Sequence, residues 1–381
     1  MINRDAPLVR ADPGLLWNWV LARQGVYPGN GLSDVHTVLD RTLGLHAARI
    51  QTPFITAAAR VSDPTRASSL LGANPQHDLM TLRGVRRTLH VMTPEHASLS
   101  HGATVHYRTQ DVINSIRRQS LSLERIRVAA KDVMALLALR GGTGERELES
   151  LLTGPYTKHE VRLALKLSWE AGEVAFHNAS GSWDALRRTF HDASAWHSAF
   201  NSQLPRREAT IQLLVEYLER YGPATLRDAA WWAGLGQASV VEAFRSVPLV
   251  RLDLPWAASD FFMTEKAWVE FQDSMRQDEF AMSGIAILGK EDCALKAYKD
   301  SRDRYLFGQD ESICYNSIGE VRPTIIKDGQ VAGLWSWDRK ALQVNCLLQT
   351  KSVSVNDRRT VSNLAKDLSE LLSRNVRPIG R

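Results

Sequence analysis

One order of elements comes round three times along this chain of 381 residues, and it limits the possible folds more than any single motif does. In the first pass, LLWNWVLARQG (15–25) has the periodicity of an amphipathic helix. Ser33 and Asp34 can cap a second helix carrying Val35, Val38, Leu39 and Leu43. Pro53 stands near the start of a third, where proline costs nothing. MTLRGVRRTLHVMTP (80–94) then reads as two short strands joined near Gly84. Three helices and a strand pair make a winged helix. The second pass runs SLERIRVAAKDVMALLALR (122–140), a short helix in GGTGERELESLL, and a helix opened by Thr157 with Glu160 three residues on, a capping box. A hairpin around Gly181 follows. The third takes REATIQLLVEYLERYG (207–222), a helix begun by Pro223 and Thr225, SVVEAFRSV, and strand-like residues over 250–265.

The remainder has a different pattern. GIAIL, SICYN, VRPTIIKDGQVAGLWSW and LQVNCLL are short strand-like runs, and Asp328-Gly329 suits a type I′ hairpin turn. An amphipathic helix over 357–374 closes the chain. The expected fold is therefore α+β, with three tandem winged-helix domains (1–120, 121–205, 206–280) and a small C-terminal β-barrel-like domain (281–381).

Composition narrows the function classes. A net charge of +5 is mildly basic, compatible with a polyanionic partner and equally with an arginine-rich solvated surface. Three cysteines, Cys293, Cys314 and Cys346, without close spacing argue against a disulfide framework or a zinc site. No run nears the ~18 apolar residues of a membrane span, and the first residues lack a secretory apolar core, so a cytoplasmic setting is expected. P-loop, GxGxxG, HExxH and serine or cysteine hydrolase signatures are absent, and neither metal nor cofactor is expected.

Four segments carry a resemblance: LRGVRRTLHVM, YGPATLRDAAWWAGL, ILGKEDCALKAYKDSRDRY and GEVRPTIIKDGQVAGLWSW, in this order along the chain. Together they resemble the AlkZ/YcaQ-type winged-helix DNA glycosylase family. The resemblance implies tandem winged helices and a β-rich C-terminal domain around a DNA channel. It also implies excision of modified bases, including bulky adducts and crosslinks. The family signature is a Gln-apolar-Gln or Gln-apolar-Asp triplet followed by a proline, an aromatic residue and an arginine. Pro53, Phe54 and Arg60 stand in that register, but the triplet is His46-Ala47-Ala48.

Cleaving an N-glycosidic bond builds positive charge on the sugar and needs a placed water and a departing base. His46 can position or deprotonate that water, having an ordinary pKa near neutrality, or can contact the modified base. It can equally pack in a helix and bond a carbonyl. Ala48 leaves room for a larger base. Gln51 is the nearest remaining amide, at a different helical angle. Glu291 and Asp292 stand where the family has an acidic pair, able to stabilise the sugar cation or to pair with Lys296, Lys299, Arg302 or Arg304. No lysine stands out as a Schiff-base nucleophile, so a monofunctional glycosylase is expected.

His90, at a strand end, is a candidate channel residue. Candidate DNA contacts are Arg49; Arg83, Arg86 and Arg87 in the first wing; Arg187 and Arg188 in the second; and Lys299, Arg302 and Arg304. Any one of them can instead be a solvated surface cation. Trp231 and Trp232 read as core rather than stacking platforms. The expected partner is double-stranded DNA bearing a modified base, bound by a monomer, in repair, self-resistance or anti-phage defence. A non-catalytic lesion sensor or regulator is the alternative, and a protein-binding scaffold a further one.

Overall fold

The computed structural model describes residues 6–71, 79–277, 280–349 and 353–376, in a mixed α+β arrangement with three sheets. Caps chosen by the sequence start most of the helices. Asp34 accepts from Thr37 N at 2.8 Å and opens Val35–Thr42. Ser122 opens Leu123–Arg140. The capping boxes Thr157/Glu160 and Thr225/Asp228 open Lys158–Glu170 and Leu226–Ala233. Each such cap stabilises its helix by about 1 kcal/mol.

Strand pairs form at the three places where the sequence predicts them. Met80–Arg83 and Leu89–Met92 join through a tight turn over Val85–Arg87, and Val174–Asn178 pairs with Arg188–Asp192. The two pairs are not separate: Thr81 stands opposite Phe176, fusing them into one five-stranded sheet whose outer strand is Leu45–His46. The third pair, Leu249–Leu252 with Phe261–Thr264, gains a parallel strand from Leu8–Val9. The N-terminal helix Pro13–Arg23 follows that strand and buries Leu16, Trp17, Trp19 and Val20 in a core shared with the third unit and with Tyr298, Tyr305 and Val331. A second core joins Val38, Leu39, Phe54 and Ala57 of the first unit to Ile285, Ile325 and Trp335.

Two expectations for the last segment change. The sheet has four antiparallel strands, Gln343–Leu348, Gln330–Asp338, Thr324–Lys327 and Ile285–Leu288 in spatial order, and among the described residues it does not close into a barrel. The amphipathic helix Val355–Arg374 packs across it instead, burying Val361, Ala365 and Leu372 and removing the need for closure. The SICYN segment forms one turn of tight helix and an isolated bridge from Tyr315 to Val321 rather than a strand. The hairpin at Asp328-Gly329 forms as expected, with φ of 48° and 80°. Two long helices had no sequence-level expectation: Pro94–Arg118, which packs on Arg206–Tyr221 and links the first unit to the third, and Glu265–Gln277.

Candidate active site

The segment 44–51 decides where the chemistry sits. The alternative of a helical His46 does not hold: Leu43 is left-handed (φ 54°) and Gly44 has a φ of 102°, so the preceding helix ends at Thr42. The next begins only at Thr52, with Pro53 in its first turn. Between them Leu45–His46 is extended and pairs with Leu89–Met92, setting His46 directly opposite His90. Their rings meet edge-to-face, centroids 5.4 Å apart.

Both rings are buried, and His90 Nδ1 donates to Thr88 O at 3.1 Å. Burial is the main reason the His46 pKa is pushed down to about 2, helped by His90 and by the positive charge of Arg86 and Lys296. Burial, then Arg86, holds His90 at about 3. Both are therefore neutral at pH 7 and only weakly basic, able to orient a water through a ring nitrogen but not to hold its proton, which overturns the expectation of His46 as the base.

Glu291 meets them from the C-terminal segment. Its Oε2 is 3.7 Å from His46 Nε2 and 2.8 Å from Lys296 Nζ. The residue is left-handed, φ 57°, and is held by its own backbone: Glu291 N donates to Val321 O at 3.1 Å, and Val321 N donates to Oε1 at 2.5 Å. The carboxylate is thus both ion-paired and presented toward His46. A small cavity of about 20 Å³ is lined by His46, His90, Tyr221, Glu291 and Lys296 among others, room for one water among polar partners. His46 Nδ1 is buried without a hydrogen-bond partner.

In front, a cleft of about 710 Å³ opens to solvent, with His46, Glu291 and Lys296 among its lining residues. Arg86, Lys299, Arg302 and Arg322 also line it, and Glu311 adds a second carboxylate. Four parts of the chain build the cleft: the Leu45–His46 strand, the 85–88 turn, Trp231 and the loops after Leu288. Trp231, expected in the core, lines it; Trp232 is the buried one. Arg86 lies over the Trp231 ring at 4.2 Å, and Lys296 and Arg302 approach it at 5.8 and 5.7 Å. The wing can come this close because Gly234, φ 67°, ends the tryptophan helix: a Cβ there would stand 3.0 Å from Arg86 N. Burial lowers the Arg86 pKa to about 10, so the guanidinium stays charged at neutral pH.

Several expected residues lie elsewhere. Asp292 is fully buried and turned away from the cleft: its Oδ2 and Oδ1 accept from the Arg60 guanidinium at 2.8 and 2.6 Å. It also accepts from Ala294 N at 3.0 Å, capping the turn Cys293–Lys296. Asp292 therefore fixes the loop that carries Glu291. Arg304 is equally buried; it donates to Pro223 O and Ser301 Oγ and lies on the Tyr298 ring at 3.6 Å, so it is a core residue and not a DNA contact. Arg302 is buried beneath the cleft, stacked on Tyr315 at 3.8 Å and paired with Glu311.

Gln51 is exposed at the start of the helix Thr52–Ala58, outside the cleft, and makes no capping bond. Arg49 pairs with Glu320 near the cleft rim. Arg83 pairs with Glu170, and Arg87 with Asp111 while lying over Tyr107. Arg187 and Arg188 are exposed on the second wing, away from the cleft. Ala47 and Ala48 line a different, mostly apolar cavity of about 130 Å³ that also holds Phe54, Leu89 and Trp196. Among the described residues no group of three His, Cys, Asp or Glu side chains could hold a metal ion.

Two measurable consequences follow from this electrostatic layout. His46, His90 and His101 are all neutral in the fold, His101 also held at about 3 chiefly by burial. The unfolded chain takes up a proton on each near pH 6.5 while the fold does not, so the unfolded state binds more protons below that point. Stability is therefore full above pH 6.5 and falls as the pH drops toward the folded values, by about 2 kcal/mol per histidine between pH 7 and pH 5. Urea midpoints at the two pH values measure this, and an unchanged midpoint contradicts it. Second, Lys299→Ala and Arg322→Ala should each reduce by about 1 the salt slope with which the cationic cleft binds a polyanion, as loss of one charge contact does. Arg304→Ala should leave the slope alone and destabilise the fold.

A cationic cleft with a carboxylate and a neutral histidine at its floor suits a hydrolase for a polyanionic substrate. The chain belongs to the AlkZ-like DNA glycosylase family, whose profile, DNA glycosylase AlkZ-like, matches residues 39–372. Among solved structures it is similar to Streptomyces sahachiroi DNA glycosylase AlkZ, with a TM-score of 0.76 and 17% sequence identity over 97% of this chain and 99% of that one. At that identity the likeness shows a common fold. No curated protein sequence matches the chain.

Proposed function

We propose that this chain is a DNA glycosylase that hydrolyses the N-glycosidic bond of a modified base, alkylated or bulky, in double-stranded DNA. The observation that carries this reading is the meeting of His46, Glu291 and Lys296 at the floor of the Arg86/Lys299/Arg322 cleft. The cations hold phosphates on either side of the lesion. Glu291 faces the sugar and stabilises the charge that develops as the bond to the base lengthens. A water oriented by neutral His46 attacks, and the Glu291 carboxylate takes its proton. Trp231, on the cleft wall, offers its face to an unstacked base once Arg86 moves to a phosphate.

The three helix–wing units, with boundaries near residues 120, 205 and 280, act in this reading as winged helices that carry the duplex past the cleft. The protein works as a monomer in the cytoplasm, in repair, self-resistance or defence against modified phage DNA. No helix among the described residues is long and apolar enough to cross a membrane.

The test is direct. Duplexes carrying alkylated, crosslinked or bulky-adduct bases are incubated with the protein and scored for abasic sites. Base release from one class supports the reading; none across the panel, with the duplex bound, overturns it. That second result would favour a non-catalytic lesion sensor, a reading supported by Ala48, which puts no polar group into the cleft.

A further inference from the structure

Lys296 lines the cleft, but its amine chemistry has no part in base hydrolysis. It is a primary amine with only 13% of its side chain exposed, at the floor of the site rather than on the rim. Its Nζ lies 2.8 Å from Glu291 Oε2, 3.0 Å from Glu291 Oε1 and 3.0 Å from Gly319 O. A sugar carbon seated against the Glu291 carboxylate at contact distance therefore comes within reach of that nitrogen after a small side-chain rotation. The amine and carboxylate also form a proton-exchange pair, which imine chemistry requires. We infer that Lys296 gives this site a second activity, cleavage of the DNA strand at an abasic site through a covalent imine with the sugar C1′. The inference rests on the reading that Glu291 faces the sugar.

The steps balance without any further reactant. The abasic sugar opens to its C1′ aldehyde. Lys296, having passed a proton to Glu291, forms an N–C1′ bond, and the aldehyde oxygen leaves as water to give a protonated imine. Glu291, having returned its proton to the departing water, then takes a proton from C2′. That C–H electron pair becomes the C2′=C3′ double bond, the C3′–O bond breaks, and the phosphate departs with its electrons as a 5′-phosphate terminus. Water hydrolyses the imine, freeing the amine and an unsaturated aldehyde. Nothing is oxidised or reduced.

The surroundings favour the neutral amine this needs. Burial is the largest influence on Lys296, and together with the positive charges of Arg86 and Arg302 it outweighs the Glu291 carboxylate, bringing the pKa below the ordinary lysine value. Glu291 is shared between Lys296 and the backbone N–H of Val321, so it does not serve the ammonium alone.

The experiment uses the full chain and a duplex whose single abasic site is made beforehand by removing uracil with another enzyme. Sodium borohydride is added during incubation to reduce any imine to a stable amine. The expected result is a covalent protein–DNA species on a denaturing gel, with the sugar remnant mapped to Lys296 by mass spectrometry of the wild-type protein. Lys296→Arg, which keeps the charge but not the nucleophile, should lose the adduct, while Lys366→Arg, on the exposed face of the C-terminal helix, should keep it. Incision without borohydride should rise with pH as the amine deprotonates. Absence of an adduct with wild-type protein, or its mapping to another residue, overturns the proposal. Because the abasic site is preformed, failure here leaves lesion-dependent base release intact, and failure of base release leaves the trapping result interpretable.

Discussion

Glu291→Gln should lower the single-turnover rate of base release by about 10²- to 10⁴-fold, the range in which loss of a positioned acid–base group falls, with duplex affinity unchanged or slightly tighter. Glutamine matches glutamate in shape and still offers an oxygen to Val321 N, so the left-handed turn at residue 291 keeps its anchor. The substitution removes only the negative charge, and with it the interaction that grows as the sugar becomes cationic. It also leaves Lys296 without its counter-ion in a cleft already lined by Arg86, Lys299, Arg302 and Arg322, which raises the positive potential felt by DNA. Affinity and rate therefore move apart, a combination that misfolding or weakened binding would not produce. His46→Ala should also slow release, by less, because Glu291 remains to accept the proton and face the sugar. Excess enzyme on a lesion duplex, quenched in time and scored for abasic sites, reads both variants. A Glu291→Gln protein with wild-type rate would remove the carboxylate from the mechanism and leave His46 as the group acting on water.

Much of this arrangement was legible in the sequence, and the misses share a cause. Local signals held where the physics is local. The caps at Asp34, Ser122, Thr157 and Thr225 and the turn at Asp328-Gly329 each depend on a few neighbouring residues, and all are formed. His46 and Glu291 stand 3.7 Å apart, a long-range pairing that spacing alone cannot supply and that only the family resemblance suggested. The failures were failures of direction. Glu291 and Asp292 are adjacent and alike in sequence, yet the left-handed backbone at 291 sends one to the cleft and the other to Arg60. Arg302 and Arg304 lie two residues apart on a short turn, and both are buried, one under the cleft and the other among Tyr298, Trp256 and Pro223. Trp231 and Trp232 divide likewise, because successive helix positions point about 100° apart. Lys296 was legible only as an ion-pair partner of the acidic pair; its place as a buried amine at the cleft floor comes from desolvation, a property of the assembled site. His46 is not helical because the left-handed Leu43 and Gly44 end the preceding helix and turn the chain into a strand that pairs with Leu89–Met92.

Arg60→Ala should be the most destabilising single change near the site, by about 3–5 kcal/mol, because it leaves a carboxylate buried without its partner. Arg60 and Asp292 are both fully buried and bonded through two parallel N–H···O contacts at 2.8 and 2.6 Å. The exposed pair Arg207–Glu242 provides the contrast, since breaking it should cost under about 1 kcal/mol. Arg60→Lys should recover only part of the loss, for an ammonium cannot match the bidentate geometry. Asp292→Asn placed on the Arg60→Ala background should recover more, since it removes the orphaned charge and keeps an oxygen to accept from Ala294 N. Urea denaturation of the four proteins measures the order. The same substitutions test how the site is held. Arg60 ends the first unit's helix region and Asp292 begins the turn that follows Glu291, so this pair fixes the distance between the His46 strand and the Glu291 loop. In the folded fraction of Arg60→Ala, base release should therefore slow even at temperatures where the protein is fully native. A variant that loses the stability but keeps the native-state rate would show instead that Val321 alone holds Glu291 in place.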